Sequence, residues 1–179
     1  MQQPQSFFEK LKGLMESSGV EKNFSKGDLL IREGEVEKHV YHVTSGLVRV
    51  FLLSEFEELT IRFGYQGSII NSLSSFITGK PSEFYIDAIR KTTVRMITRE
   101  QLLALINESD ENRQQYIHTI EIAVTQQIER EVDILTVSPQ ARLKRVLERS
   151  PNLFQEVPLK YIASYLRMTP ETLSRVRNS

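Results

Sequence analysis

No cysteine occurs among the 179 residues. That absence excludes disulfides, thiolate metal sites and cysteine-ligated iron–sulfur clusters, and it suits a reducing compartment. Histidine is scarce. His39 and His42 lie three apart in a strand-like stretch, so they point to opposite faces, and His118 stands alone. A cupin-type metal enzyme needs several ligands converging on one face, and no nucleophile-elbow glycine pattern marks a hydrolase, so the chain does not read as an enzyme and no metal or cofactor is expected. No apolar run approaches membrane-spanning length, and the opening MQQPQSFFEK lacks the basic-then-apolar pattern of a secretion signal. A cytoplasmic protein without a membrane partner is expected. Glycine is absent after residue 79: all eight glycines lie in the front half, which should be turn-rich, leaving a helical back half. Net charge is zero, yet from Pro139 to Ser179 eight Lys/Arg meet three Glu. A segment of +5 behind a body of −5 is the footprint of a phosphate-binding part.

What is present is the composition of a globular protein, 40% apolar and 26% charged. Phe8, Leu11 and Leu14-Met15 give Gln5–Ser18 a helical face that Gly19 ends. Short β-branched and aromatic segments follow, each bounded by turn residues: Phe24, Leu29–Ile31, Val40–Val43, Leu47–Leu53, Leu59–Phe63, Ser68–Ile70, Tyr85–Ile89 and Val94–Ile97. Strands at this spacing predict a β-barrel or jelly roll able to enclose one small ligand. Thr98-Arg99-Glu100-Gln101 fits a capping box opening a helix. From Glu108 to Ser138 there is neither Gly nor Pro, and Ile117, Ile120, Val124, Ile128, Val132 and Leu135 form a helical stripe. A helix of ~30 residues would be ~45 Å long. It could pack on the barrel or meet a second copy of itself, and the second reading is favoured. Pro139 should close it, with a new helix over Ala141–Leu147.

The stretch Val157–Arg177 reads as two short helices joined by a tight turn. Pro158 suits a helix start, and Leu159, Ile162, Ala163 and Leu166 make one apolar face. Thr169 is a good N-cap, Pro170 follows as first helical residue, and Glu171 lies where the helix dipole favours a negative charge. Leu173 and Val176 face inward, leaving Pro170, Glu171, Ser174, Arg175 and Asn178 on the other side. Arg can bond a guanine edge bidentately, Glu can accept from the cytosine amino group, and Ser can bond a base or a phosphate. On a second helix this is the helix-turn-helix arrangement for the major groove. An ordinary helical hairpin with a solvated charged face is the alternative.

In this order of elements the chain resembles the Crp/Fnr family of bacterial transcription regulators. The front part is similar to its cyclic-nucleotide-binding-like barrel through Phe24-x-Lys26-Gly27-Asp28, Gly34-Glu35, Tyr41-x-Val43-x-Ser45-Gly46-x-Val48 and Gln66-Gly67-Ser68-Ile69-Ile70. The resemblance implies an α+β chain in three parts: an effector domain over 1–107, a long dimerisation helix over 108–138 with Ile117, Ile120, Val124 and Ile128 at the seam, and a winged-helix-type helix-turn-helix domain over 139–179. It implies a homodimer on palindromic double-stranded DNA with TTGA-like half-sites, in contact with RNA polymerase. Pro170, Glu171, Ser174 and Arg175 would then read bases. Lys160, Arg167, Thr169, Arg177 and the Arg142–Arg149 cluster would hold phosphates. A ligand-binding signalling module without sequence-specific DNA binding is the competing function.

Two departures from the family stand out. Members that bind cyclic AMP carry Gly-Glu at the start of the cassette helix and Arg-Ser about ten residues later. Here those positions hold Asn71-Ser72 and Ser82-Glu83. Ser72 is too short to replace a carboxylate, and Glu83 would put a negative charge beside a phosphate. Gln127-Ile128 also stands where nucleotide binders use hydroxyls on the base. Cyclic AMP is therefore not expected as ligand. The second departure is Arg167, where the family often has a turn glycine; a positive φ there would strain Arg by roughly 1 kcal/mol.

Overall fold

The computed structural model describes residues 6–55 and 57–178. Gln5 of the expected first helix lies outside them. The helix α1 spans Phe7–Ser18 and begins at a capping box, in which Ser6 Oγ accepts from the Glu9 amide and Glu9 Oε2 from the Ser6 amide. Eight strands follow: β1 (Val20–Phe24), β2 (Leu29–Ile31), β3 (His39–Ser45), β4 (Leu47–Leu53), β5 (Glu58–Tyr65), β6 (Ile69–Ile70), β7 (Tyr85–Ala88) and β8 (Thr92–Thr98). The short α2 (Leu73–Thr78) lies between β6 and β7.

The strands form two four-stranded antiparallel sheets, ordered β1-β8-β3-β6 and β2-β7-β4-β5. This is the jelly-roll form of the expectation; the two sheets do not close into one barrel. Alternation places Tyr41, Val43 and Val94 of one sheet against Val48, Val50 and Ile86 of the other in a shared core. The β3–β4 turn needs Gly46, whose φ is +96° and whose missing Cβ would fall 2.6 Å from the Lys91 carbonyl oxygen. His39 and His42 fall on opposite faces of β3, His39 with Tyr41 and His42, buried, with the charges of Lys12 and Glu16 nearby.

The outer face of the first sheet is covered by α1 and by α3 (Arg99–Asn107), through Met15, Ile97, Leu102 and Ile106. The capping box at α3 forms as expected: Thr98 Oγ1 accepts from the Gln101 amide and Gln101 Oε1 from the Thr98 amide. The long helix α4 covers Asp110–Leu135, 26 residues, and stops four short of Pro139. Pro139 does not close it. Pro139 opens α5 (Pro139–Arg149) as first helical residue behind the N-cap Ser138. Three more helices follow: α6 (Leu153–Glu156), α7 (Leu159–Tyr165) and α8 (Pro170–Arg177). Every described element after β8 is helical, so no wing strand is among them. The core of α5–α8 runs through Leu143, Val146, Ile162, Leu166 and Leu173 and is continuous with Leu47 and Phe63 of the second sheet and with Ile89 just after β7. No helix among the described residues is long and apolar enough to cross a membrane.

Candidate nucleic-acid interface and ligand cassette

The hairpin α7–α8 is built by local chemistry. Ile162, Ala163, Leu166 and Leu173 are at most 1% exposed, and Val176 is buried as well. Two details differ from expectation. Pro158 takes the N-cap rather than the first helical position, and Leu159, read as part of the inner face, is exposed. The turn closes by a Schellman pair: the Met168 amide donates to the Ala163 carbonyl at 3.0 Å and the Arg167 amide to Ser164 at 3.1 Å. Such a turn requires a left-handed residue, and Arg167 takes it with φ +54°, the only positive φ at a non-glycine among the described residues. Thr169 Oγ1 then caps α8 by accepting from the Thr172 amide at 3.2 Å. The amide of Glu171 itself, and after it the Thr169 hydroxyl, hold the Glu171 carboxyl below its ordinary value.

With Leu173 and Val176 turned inward, Pro170, Glu171, Ser174 and Arg175 are all exposed on one side of α8. Lys160, Arg167, Thr169 and Arg177 are exposed around them. The Arg142–Arg149 cluster is different. Arg142 donates to the carbonyls of Thr136 (2.8 Å), Leu166 (2.6 Å) and Arg167 (3.2 Å). Arg145 and Arg149 converge on Asp133, whose side chain is fully buried on α4. Burial pushes the Asp133 carboxyl up, but Arg149 and Arg145 override it and hold it below its usual value. These three arginines fasten the joint between α4 and the C-terminal helices.

In the cassette, Ser72 and Ser82 bond each other, and Ser72 bonds a buried carboxylate. Asn71 and Ser72 precede α2, and Ser72 Oγ shares a hydrogen bond with Ser82 Oγ at 2.8 Å. The carboxylate beside them is not Glu83, which is exposed. It is Glu37, 2% exposed, whose Oε2 accepts from the Ser72 amide at 3.3 Å and whose Oε1 accepts from the His39 amide (3.0 Å) and the Tyr41 hydroxyl (3.2 Å). Burial raises the Glu37 carboxyl above its ordinary value, opposed in part by these bonds. Sequence reasoning missed Glu37 because it lies 35 residues before Ser72, and no local motif marks it.

Sequence reasoning also missed the seam by which α7 docks on the second sheet. Ser164 Oγ donates to the Glu58 carbonyl at 2.7 Å and accepts from the Thr60 amide at 2.9 Å. Arg49 pairs bidentately with Asp87 (3.0 and 2.8 Å), reaches Glu58 at 2.7 Å, and lies over the rings of Phe51 and Tyr161. Arg130 of α4 stacks 4.0 Å over Tyr165 and donates to the Tyr165 carbonyl. Burial pushes its guanidinium below the ordinary arginine value.

Comparison with known proteins matches this anatomy. Residues 21–109, about half of the chain, match the family model of the cyclic nucleotide-binding domain. No curated protein matches the sequence. Among solved structures, FixK2 from Bradyrhizobium japonicum superposes with a TM-score of 0.75 at 20% identity, over 89% of this chain and 83% of that one. A CooA mutant from Carboxydothermus hydrogenoformans gives 0.73 at 19%, over 99% and 85%. A regulator assigned to the Crp/Fnr family from Eubacterium rectale gives 0.69 at 16%, over 94% and 81%. Residues 21–109 therefore form a cyclic nucleotide-binding-type domain, and the chain as a whole has the fold of the Crp/Fnr transcriptional regulators.

Proposed function

We propose that the chain is a cytoplasmic, DNA-binding transcriptional regulator, not an enzyme, that works as a homodimer without cyclic AMP. The observation that carries this reading is α8: a capped helix that buries Leu173 and Val176 and turns Glu171, Ser174 and Arg175 outward behind a Schellman turn. These side chains suit base edges, while Lys160, Arg167, Thr169 and Arg177 suit phosphates. The division of labour follows the proposed bounds: 1–107 senses, 108–138 pairs, 139–179 reads DNA. Pairing is supported by α4, which buries only Asn112, Arg130 and Asp133 while leaving Ile117, Val124 and Ile128 46–56% exposed and Ile120 half-buried. Two paired copies would set their α8 helices in successive major grooves ~34 Å apart, with RNA polymerase as the downstream partner. Independence from cyclic AMP is supported by Ser72 and Ser82, which stand where cyclic-AMP binders carry Glu and Arg and bond each other, and by the buried Glu37 carboxylate on the Ser72 amide.

The test is fluorescence anisotropy on duplexes carrying two TTGA half-sites against scrambled ones. The natural chain should prefer the palindrome, and Arg175→Ala should abolish the preference, a loss of ~1–3 kcal/mol, while leaving salt-sensitive nonspecific binding. Equal affinity of the natural chain for all duplexes would favour a signalling module instead. Micromolar binding of cyclic AMP or cyclic GMP by calorimetry would overturn the effector part alone.

A further inference from the structure

The first sheet buries a titratable ring that neither the reading hairpin nor the cassette uses. His42 shares the outer face of β3 with Val40, which packs into the layer of α1 and α3. It is 8% exposed, and its Nδ1 has no hydrogen-bond partner. A neutral imidazole carries one donor and one acceptor, whereas a protonated one carries two donors. The cation would therefore bury an N–H with no acceptor in addition to a charge.

The surrounding charges oppose that cation as well. Arg95 of β8 stands opposite His42 in register, on the same face, and Ile69 of β6 stands on its other side. Arg95 is committed to α1. Its guanidinium donates to the carbonyls of Met15 (3.5 Å) and Glu16 (2.5 Å) near the helix's end and reaches the Glu21 carboxylate at 3.6 Å. From α1 itself, Lys12 adds a positive charge and the exposed Glu16 a negative one. Burial, and after it Lys12, hold the His42 ring below the ordinary histidine value, with Glu16 opposing them.

The same helix braces the start of α4. The Phe7 amide donates to Gln115 Oε1, Lys10 Nζ donates to Asn112 Oδ1 at 2.7 Å, and the Phe7 and Tyr116 rings meet edge to face at 5.8 Å. Phe7 and Leu11 continue into Met15 as one buried face of α1. A change that lifts α1 from the sheet also unbraces α4.

We propose that His42 is an acid-operated catch for α1: when the ring takes up a proton, the helix comes away from the first sheet and its hold on the start of α4 is lost. The unfolded chain binds a proton here more readily than the folded one. Docking is therefore full above the ordinary 6.5 and is lost as pH falls through the lower folded value. The input is a proton, and the output is the footing of the helix through which the proposed dimer would pair. The catch itself rests on neither pairing nor DNA binding.

The test uses the full chain and no DNA, so its failure would leave the DNA reading standing. NMR titration of the three rings, assigned with His39→Gln and His118→Gln, should place His42 below 6.5, and Lys12→Gln should raise it. Hydrogen exchange read by mass spectrometry, corrected for the intrinsic effect of pH and referenced to β4, follows the helices. Between about pH 7.5 and about pH 5.5, α1 should lose roughly fivefold or more of its protection, with the first turns of α4 following. His42→Gln, neutral throughout, should erase this response, and His39→Gln, on the opposite face, should keep it. His42 titrating at or above 6.5, α1 or the start of α4 unmoved by acid, a response that survives in His42→Gln, or one lost in His39→Gln would overturn the assignment. Should His42→Gln not fold, Lys12→Gln decides in its place: an unmoved His42 titration there would overturn the assignment too.

Discussion

Glu37 is buried beside the cassette. Its carboxylate accepts the Ser72 amide ahead of α2, together with the His39 amide and the Tyr41 hydroxyl. Its folded-state value lies above the ordinary 4.5, so between those two values the folded chain holds more protons than the unfolded one. Stability from this group is therefore full below the ordinary value and falls as pH rises through the raised one. Glu37→Gln should remove that decline: in urea unfolding, the variant should gain on the natural chain from about pH 4.5 to pH 7. Glu37→Ala should instead destabilise at both pH values, because it strands three donors at ~1–3 kcal/mol per buried group. The sequence pointed to Ser82-Glu83 for an intruding negative charge, and the structure places that charge elsewhere. Which carboxylate enters a pocket is decided by strand pairing, which adjacency along the chain does not reveal. Arg167 was legible for the opposite reason: its left-handed turn follows from the helix stop around it.

At the scale of an element, α4 is inside out. Its inward residues are polar, and its outward ones include Ile117, Val124, Ile128, Val132 and Leu135, 43–71% exposed. Periodicity found this stripe but not the direction it faces, because a helical repeat is the same whichever side is buried. Nor could composition show that Arg145 and Arg149 pair with Asp133, or that Arg142 bonds carbonyls, because those partners are set by the fold. In the proposed dimer Ile128 lies at the seam. Ile128→Lys, on a surface 56% exposed in the single chain, should leave the fold intact and shift sedimentation from dimer toward monomer. A monomeric natural chain, or an unaltered dimer in the variant, would count against the seam.

The whole molecule is held by α7 lying on the second sheet, a contact invisible in the sequence because its partners stand about a hundred residues apart. Ser164 occupies its centre, bonded both ways to the β5 backbone. Ser164→Ala would leave the Thr60 amide without its acceptor, a loss of ~1 kcal/mol. Exchange of that amide, followed by NMR, should speed up ~5- to 10-fold; unchanged exchange would mean that the hairpin does not dock there in solution. The two-sheet fold and the helical hairpin were legible because alternation, turns and caps are local. The docking seam, the buried carboxylate at the cassette and the arginine joint were not, because each is made by pairs that only the fold brings together.

Arg142 gives that joint an unusual inheritance. Its acceptors are the main-chain oxygens of Thr136, Leu166 and Arg167, groups that every amino acid supplies. The codons for those three positions can drift without emptying the acceptor side of the clasp. Only the codon for Arg142 can lose it outright, so mutational vulnerability here is concentrated on one partner.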